Sequence, residues 1–228
     1  MDVPRRAGRR VILNFHGIGD PPASVPAAEV PYWCPLDQWL PLVEVVAEAV
    51  HEGRPVEVTF DDGNVSDVQH ALPALLKYGL TATFHACAGR IGRRDYLDEP
   101  MMRHLHEAGM QVGSHGWDHV DLRPLTDADL VRETRDSQHR IEDACGWPVR
   151  DFAVPLGSYD RRVLRHLRDY ATVYTSDATT GARGARLVPR WSYVQGWSTR
   201  LVHDLACGDE SVGHRLRQHL SMTVKRWR

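Results

Sequence analysis

The sequence predicts an α/β fold: a closed or nearly closed barrel of seven mainly parallel strands with helices on its outside. Short β-rich runs alternate with helical patterns along almost the whole chain. Seven such runs fall within 228 residues, the size of one large domain. The three segments that look chemically active each follow a predicted strand, where a barrel presents its functional side chains.

The first strand is 11–15, ending at His16-Gly17. The stretch 19–35 holds five prolines and reads as a loop over the site mouth. A helix at 36–50 and a strand at 56–60 follow, and the strand runs into Asp61-Asp62-Gly63. Ser66 is a candidate N-cap for a helix over 66–78 that stops at Gly79. Strand 81–87 and helix 99–108 lead to strand 111–114. The helix over 126–144 has Thr126 as N-cap and Asp127 and Asp129 in its first turn, with Leu130, Thr134, Ser137 and Ile141 on one face. Strand 151–154, helix 159–169 and strands 171–175 and 186–193 complete the alternation. A weaker helical pattern lies within 198–228, which reads as a helix on the barrel, a dimer contact or a tail. The expectation is one domain over 1–228, with the oligomeric state left open.

Composition narrows the partners. The 28 basic and 30 acidic residues leave a net charge of −2, so no overall electrostatic case exists for nucleic acid or an anionic membrane surface. No run of about 18 apolar residues occurs, so no membrane span is expected. Met1 to Arg10 is basic like the start of a signal peptide, but 11–15 is too short for its apolar core, and the expected location is the cytoplasm. Cys34, Cys87, Cys145 and Cys207 form no C-x-x-C pair, which argues against a zinc ribbon or a redox dithiol.

The chemistry begins with Asp61 and Asp62. Adjacent side chains on a strand diverge, but a turn at its end aims both into one site, where a metal or mutual repulsion separates their ionisation. His115 and His119 are four residues apart, a spacing that suits a divalent metal. One carboxylate and two imidazoles make a three-ligand set with a position left for water. Asp151 to Gly157 is a strand ending in a Pro- and Gly-containing turn, where backbone N–H groups approach a substrate oxygen closely.

Thr59-Phe-Asp-Asp-Gly63, Ser114-His-x-x-x-His119 and Phe152-Ala-x-Pro-x-Gly157, in that order, resemble the motifs of the polysaccharide deacetylase family (NodB-homology domains, carbohydrate esterase family 4). Pro73 to Phe84, Leu105 to Gly113 and Ser137 to Val149 resemble the family's connecting segments, and the likeness covers roughly 11–195. It implies a distorted (β/α)₇ barrel that hydrolyses an N-acetyl group from a sugar. Asp62, His115 and His119 would bind a divalent metal, zinc first, with Ni²⁺, Co²⁺ or Fe²⁺ as alternatives. Asp61 would be the general base, and the Leu156 N–H would stabilise the oxyanion.

Two departures from the common family pattern matter. The acid histidine usually lies near the C-terminus, where Leu201-Val-His-Asp204 offers His203. A circularly permuted branch, which includes poly-β-1,6-N-acetylglucosamine deacetylases, takes it from the first strand instead. Val11 to Gly17 and the Phe-Ala-x-Pro motif resemble that branch, which favours His16. Phe152-Ala153 also stands where many relatives carry an arginine that orients the base, and Arg190 is the candidate substitute through a bidentate hydrogen bond.

Trp117, Pro155, Trp191, Tyr193 and Trp197 are candidate substrate contacts, whereas Trp33 and Trp39 read as packing. The expected partner is a saccharide or a small N-acylated substrate. A deacylase or deformylase of a small amide metabolite is the alternative activity, and a non-catalytic saccharide-binding domain is the third reading.

Overall fold

The computed structural model describes residues 9–208 and 211–227, so most of the basic N-terminal stretch lies outside the described residues. Seven parallel staves form the barrel. They are β1 (Arg9–Phe15), β2 (Val56–Phe60), β3 (Ala82–Ala86), β4 (Gln111–Ser114), β5 (Asp151–Ala153), β6 (Thr172–Thr175) and a split seventh stave. β1 to β6 pair in chain order. A short β7 (Gly181–Ala182) runs antiparallel along the start of β1, an edge the sequence patterning did not reveal.

The seventh stave closes the ring. Its first half, β8 (Leu187–Pro189), pairs with β6, and its second half, β9 (Trp191–Ser192), returns to β1 through Leu13↔Trp191 and Asn14↔Ser192. The run 186–193 predicted as one strand is therefore broken at Arg190. Pro189 cannot donate to a ladder, while the Arg190 N–H bonds Thr175 O and its carbonyl accepts from Ala178. These bonds hold the handover point, and Arg190 turns into the barrel.

Strand alternation sorts the side chains. On β1, Val11, Leu13 and Phe15 join the large core under the helices, while Ile12 and Asn14 face inward. Val58 and Phe60 of β2 and Phe84 of β3 face outward likewise, leaving Thr59, Asp61 and His85 inside. The interior is layered rather than hollow. Ile12, Ala153, Tyr174 and Val188 form a small apolar floor. Above it sit Asn14, Thr59, His85 and Arg190, all buried, and then the residues at the strand ends.

The outer layer comprises α1 (Leu36–His51), α2 (Leu72–Lys77), α3 (Glu99–Glu107), α4 (Asp127–Val131), α5 (Ser137–Cys145), α6 (Arg161–His166), α7 (Thr199–Ala206) and α8 (Val212–Trp227). Trp39, Leu42, Val43 and Val46 of α1 are buried, and full burial of each aliphatic side chain contributes about 1.5–3 kcal/mol. Thr126 caps α4 by accepting from Asp129 N, and Leu130, Thr134, Ser137 and Ile141 are all buried as the spacing predicts. That segment is not one regular helix, because a π turn at Arg132–Asp136 joins α4 to α5. A second π turn, Asp67–Ala71, precedes α2.

Ser66 is a correction. Its hydroxyl makes no helix cap but accepts from Ile18 N at 3.1 Å, tying the loop after β1 to that after β2. The weak C-terminal helical pattern resolves into two helices, α7 and α8. Among the described residues, no helix is long and apolar enough to cross a membrane.

Candidate active site

The strand ends of β1, β2 and β4 bring the predicted residues together. Asp61 continues the inward face of β2, so alternation alone would turn Asp62 away. A left-handed backbone at Asp62 (φ 79) followed by Gly63 (φ 69) redirects its carboxylate into the same mouth. Such a conformation costs roughly 1–2 kcal/mol at a non-glycine residue, and His119 (φ 58) shares it. Strain gathered at a few adjoining strand ends is the pattern of a functional site.

Asp62, His115 and His119 each offer one atom, and the three atoms lie within 4.8 Å of one another. Asp62 Oδ1 is 3.8 Å from His115 Nε2 and 3.5 Å from His119 Nε2. A tetrahedral ion with bonds of roughly 2.1 Å places its ligands about 3.4 Å apart, a span the two Asp62–imidazole distances already approach. Asp62 Oδ1 is buried and makes no hydrogen bond, and besides the two imidazoles the Arg90 guanidinium stands 3.3 Å from it, so the oxygen already sits among groups suited to a negative ligand atom. These residues fit a divalent metal.

His115 is prepared for that role. Its Nδ1 lies 2.9 Å from Ala153 O, which assigns the proton to Nδ1 and leaves the Nε2 lone pair facing Asp62. Burial pushes its pKa down to about 3, so the ring is neutral at pH 7. Burial also opposes ionisation of Asp62, but His119, His16, His115 and Arg90 outweigh it and hold this carboxyl below its usual range. Glu29, from the proline-rich loop, approaches His119 Nδ1 at 3.8 Å.

Asp61 is fixed by a different set. Arg190 Nη1 donates to Oδ1 at 2.8 Å and Nη2 to Oδ2 at 2.7 Å, a bidentate pair in which both residues are buried. Asn14 Nδ2 donates to Oδ2 at 3.1 Å, and Asn14 Oδ1 accepts from Arg190 and Thr59. Burial raises the pKa of Asp61, yet Arg190, His115 and His85 overcome it and keep the group well below the ordinary carboxylate range. The guanidinium thus sits where the sequence argument looked for a substitute.

His16 lies just beyond inward-facing Asn14, with its ring 5.3 Å from that of Tyr32 and its Nδ1 buried without a partner. His203 is elsewhere, on α7, with a 59% exposed side chain beside Asp204 and Cys207. Leu156 occupies a turn at Pro155–Gly157 with φ 57, and its side chain is exposed while Pro155 is buried.

Among the aromatic candidates, Tyr193 is a correction. Tyr193 is fully buried, stacked on Phe15 with its hydroxyl donating to Gln38, so it belongs to the core rather than to the open mouth. Trp191 stacks on His214 of α8. Trp117 lies against Gly89, with the Arg132 guanidinium 4.9 Å over its ring. Trp33 and Trp39 are buried, as packing residues are. Tyr32 is the half-exposed aromatic beside His16, and sequence reading passed over it.

Two further residues escaped the sequence argument. His85 is fully buried with Nδ1 3.2 Å from Asp61 Oδ1, and a Cβ on facing Gly113 would meet its ring at 2.4 Å. Period-two alternation from Thr83 was the signal that placed it inside. Glu133, in the π turn of the α4–α5 segment, accepts from Trp117 N at 2.7 Å and from Asp118 N at 3.2 Å. It thereby fixes the turn between His115 and His119, and burial raises its pKa against those hydrogen bonds.

With this geometry in hand, comparison with known proteins is informative. Residues 49–174 match the polysaccharide deacetylase family profile. A Bacillus subtilis protein named as a polysaccharide deacetylase, YxkH, is 32% identical over 110 residues, covering 48% of this chain and 39% of its own. The peptidoglycan-N-acetylmuramic acid deacetylase PdaC of Bacillus subtilis is 34% identical over 116 residues, covering 50% of this chain but 24% of its own. The matched segment thus spans well under half the length of either relative.

Among solved structures, IcaB from Ammonifex degensii superposes with a TM-score of 0.72 at 22% identity, over 87% of this chain and 97% of that one. Streptococcus pyogenes deacetylase PplD, solved in complex with acetate, gives 0.73 at 20% identity, over 89% and 99%. At such identities these two speak for the barrel alone. The family assignment rests on the profile, which spans more than half the sequence and contains Asp61, Asp62, His115, His119 and the turn at Leu156. The chain belongs to the polysaccharide deacetylase family.

Proposed function

We propose that the protein hydrolyses the N-acetyl group of an N-acetylated amino sugar with the help of a divalent metal, releasing acetate. The observation that carries this reading is the division of two adjacent carboxylates. Asp62 faces two imidazoles with an oxygen that makes no hydrogen bond and only a 3.3 Å ion pair to Arg90, whereas Asp61, next to it, is clamped by a bidentate pair to buried Arg190.

Asp62, His115 and His119 would hold the ion, zinc being the leading candidate for a set of two nitrogens and one oxygen. When bound, such an ion polarises the amide carbonyl and acidifies a coordinated water. Asp61, kept ionised and immobile, takes a proton from water as its oxygen joins the acetyl carbon. The Leu156 N–H donates to the developing oxyanion. As the carbon–nitrogen bond breaks, His16 delivers a proton to the leaving amine. Arg190 does not reach the reacting atoms; it holds the base in register.

An N-acetylglucosamine oligomer series tests this directly. Acetate release is expected with added zinc, with loss after chelation and recovery on zinc return. His16→Ala is expected to reduce turnover by about 10²–10⁴ and His203→Ala to leave it unchanged. Turnover surviving His16→Ala but lost in His203→Ala would remove the assignment of the acid. A metal-binding but inactive protein on every N-acetylated sugar would move the substrate to other amides.

A further inference from the structure

α8 packs against α6 and reaches the mouth end of the barrel. Lys225 forms a 2.6 Å ion pair with buried Asp177, which follows β6, and reaches Gly157 O in the turn that carries Leu156. His214 stacks on Trp191 and contacts Ala178 O at 2.7 Å. These contacts, buried Met222 and the Lys225 ammonium 5.1 Å over the Tyr159 ring make the inner face of the helix, and at its end the Arg161 guanidinium of α6 lies 5.9 Å over the ring of the otherwise exposed Trp227.

The outer face is different. Leu220, Val224 and Trp227 are 66%, 56% and 74% exposed, and their i, i+4, i+7 spacing makes one apolar stripe. Exposed Arg217 and Arg226 flank it on either side. Residues 212–228 hold five basic residues and no carboxylate, although the whole chain is slightly acidic. Leu156, 65% exposed beside the site, is tied into the same end of the molecule through Gly157.

We propose that this face of α8 docks the protein on an anionic lipid surface, with the barrel mouth turned toward that surface. An apolar stripe with a terminal tryptophan suits the acyl–headgroup boundary, where the indole is apolar on its face and polar at its N–H. The flanking arginines suit lipid phosphates. A second copy set two-fold on the same stripe would bring Arg217 and Arg226 against their own counterparts, so charge disfavours that occupant. A sugar polymer accounts for Trp227 but not for Leu220 and Val224, which offer it no polar partner. The inference is separate from the reaction, because none of these side chains belongs to the metal set or the base clamp.

Flotation of the full chain with vesicles tests it. Equimolar phosphatidylglycerol and phosphatidylcholine vesicles are expected to carry the protein, with at least about fivefold less carried by phosphatidylcholine alone or at roughly 0.5 M salt. The Leu220→Ser/Val224→Ser/Trp227→Ser variant is expected to lose about tenfold in flotation, with unchanged circular dichroism and unchanged acetate release from a soluble oligosaccharide. Brominated lipid is expected to quench part of the tryptophan emission, and Trp227→Phe to abolish that part while still floating. The proposal is overturned if the wild type does not float or if the triple variant floats equally well. It is also overturned if light scattering shows a dimer that this variant dissociates, or if the variant loses oligosaccharide binding instead.

Discussion

Asp61 and Asp62 are neighbours whose surroundings assign them different work. Asp61→Asn is expected to keep the shape and the Arg190 contact while removing the basic oxygen, so acetate release falls by about 10²–10⁴. Arg190→Ala leaves a buried carboxylate unpaired and is expected to destabilise the fold by about 3–5 kcal/mol in urea denaturation. Arg190→Lys, which cannot form the bidentate pair, is expected to recover only part of that loss. At this scale the sequence was most legible where a residue type is rare and its chemistry specific: two adjacent aspartates, two histidines four apart, and one arginine near the last strand. His85 was not legible in that way, because strand alternation marks it as inward-facing but only the closed barrel brings it against Asp61. Tyr193 misled for the converse reason, since an aromatic near a strand end serves the core as readily as a substrate.

At the scale of elements, the strands declared themselves through β-rich runs between turn residues. The handover at Arg190 did not, because which neighbour a strand pairs with is a non-local property. The π turn at Arg132–Asp136 was equally hidden, since one extra residue in a helical turn leaves the apolar spacing almost intact. Its consequence is concrete: it places Glu133 under the Trp117 and Asp118 amides. Glu133→Gln is expected to loosen this turn and weaken zinc affinity by about 10–100-fold in calorimetric titration, with Asp62, His115 and His119 untouched. The strained turn at Leu156 makes the opposite kind of prediction. Leu156→Gly removes an exposed side chain and relieves the left-handed backbone, so the melting temperature is expected to rise by about 2 °C.

For the molecule as a whole, the closed ring explains why polar groups can sit so deep. The apolar floor of Ile12, Ala153, Tyr174 and Val188 seals one end, and Asn14, Thr59, His85 and Arg190 fill the middle. Fold class was readable from strand–helix alternation alone, whereas the layering needed the register of all seven staves. Burial also sorts the cysteines. The thiol of Cys34 is pushed up to about 12 by burial and that of Cys87 is also raised well above its ordinary range, while Cys145 is buried too and Cys207 is partly exposed. A disulfide exchange reagent at pH 8 is therefore expected to modify Cys207 alone in the native protein, read by mass spectrometry, and all four after unfolding. The central claim is the division of labour between the paired aspartates, and it is tested most directly by measuring zinc binding and acetate release together in Asp61→Asn and Asp62→Asn. Zinc binding retained with turnover lost in the first variant, and both lost in the second, is the expected result. Zinc binding lost in Asp61→Asn but kept in Asp62→Asn would contradict the account.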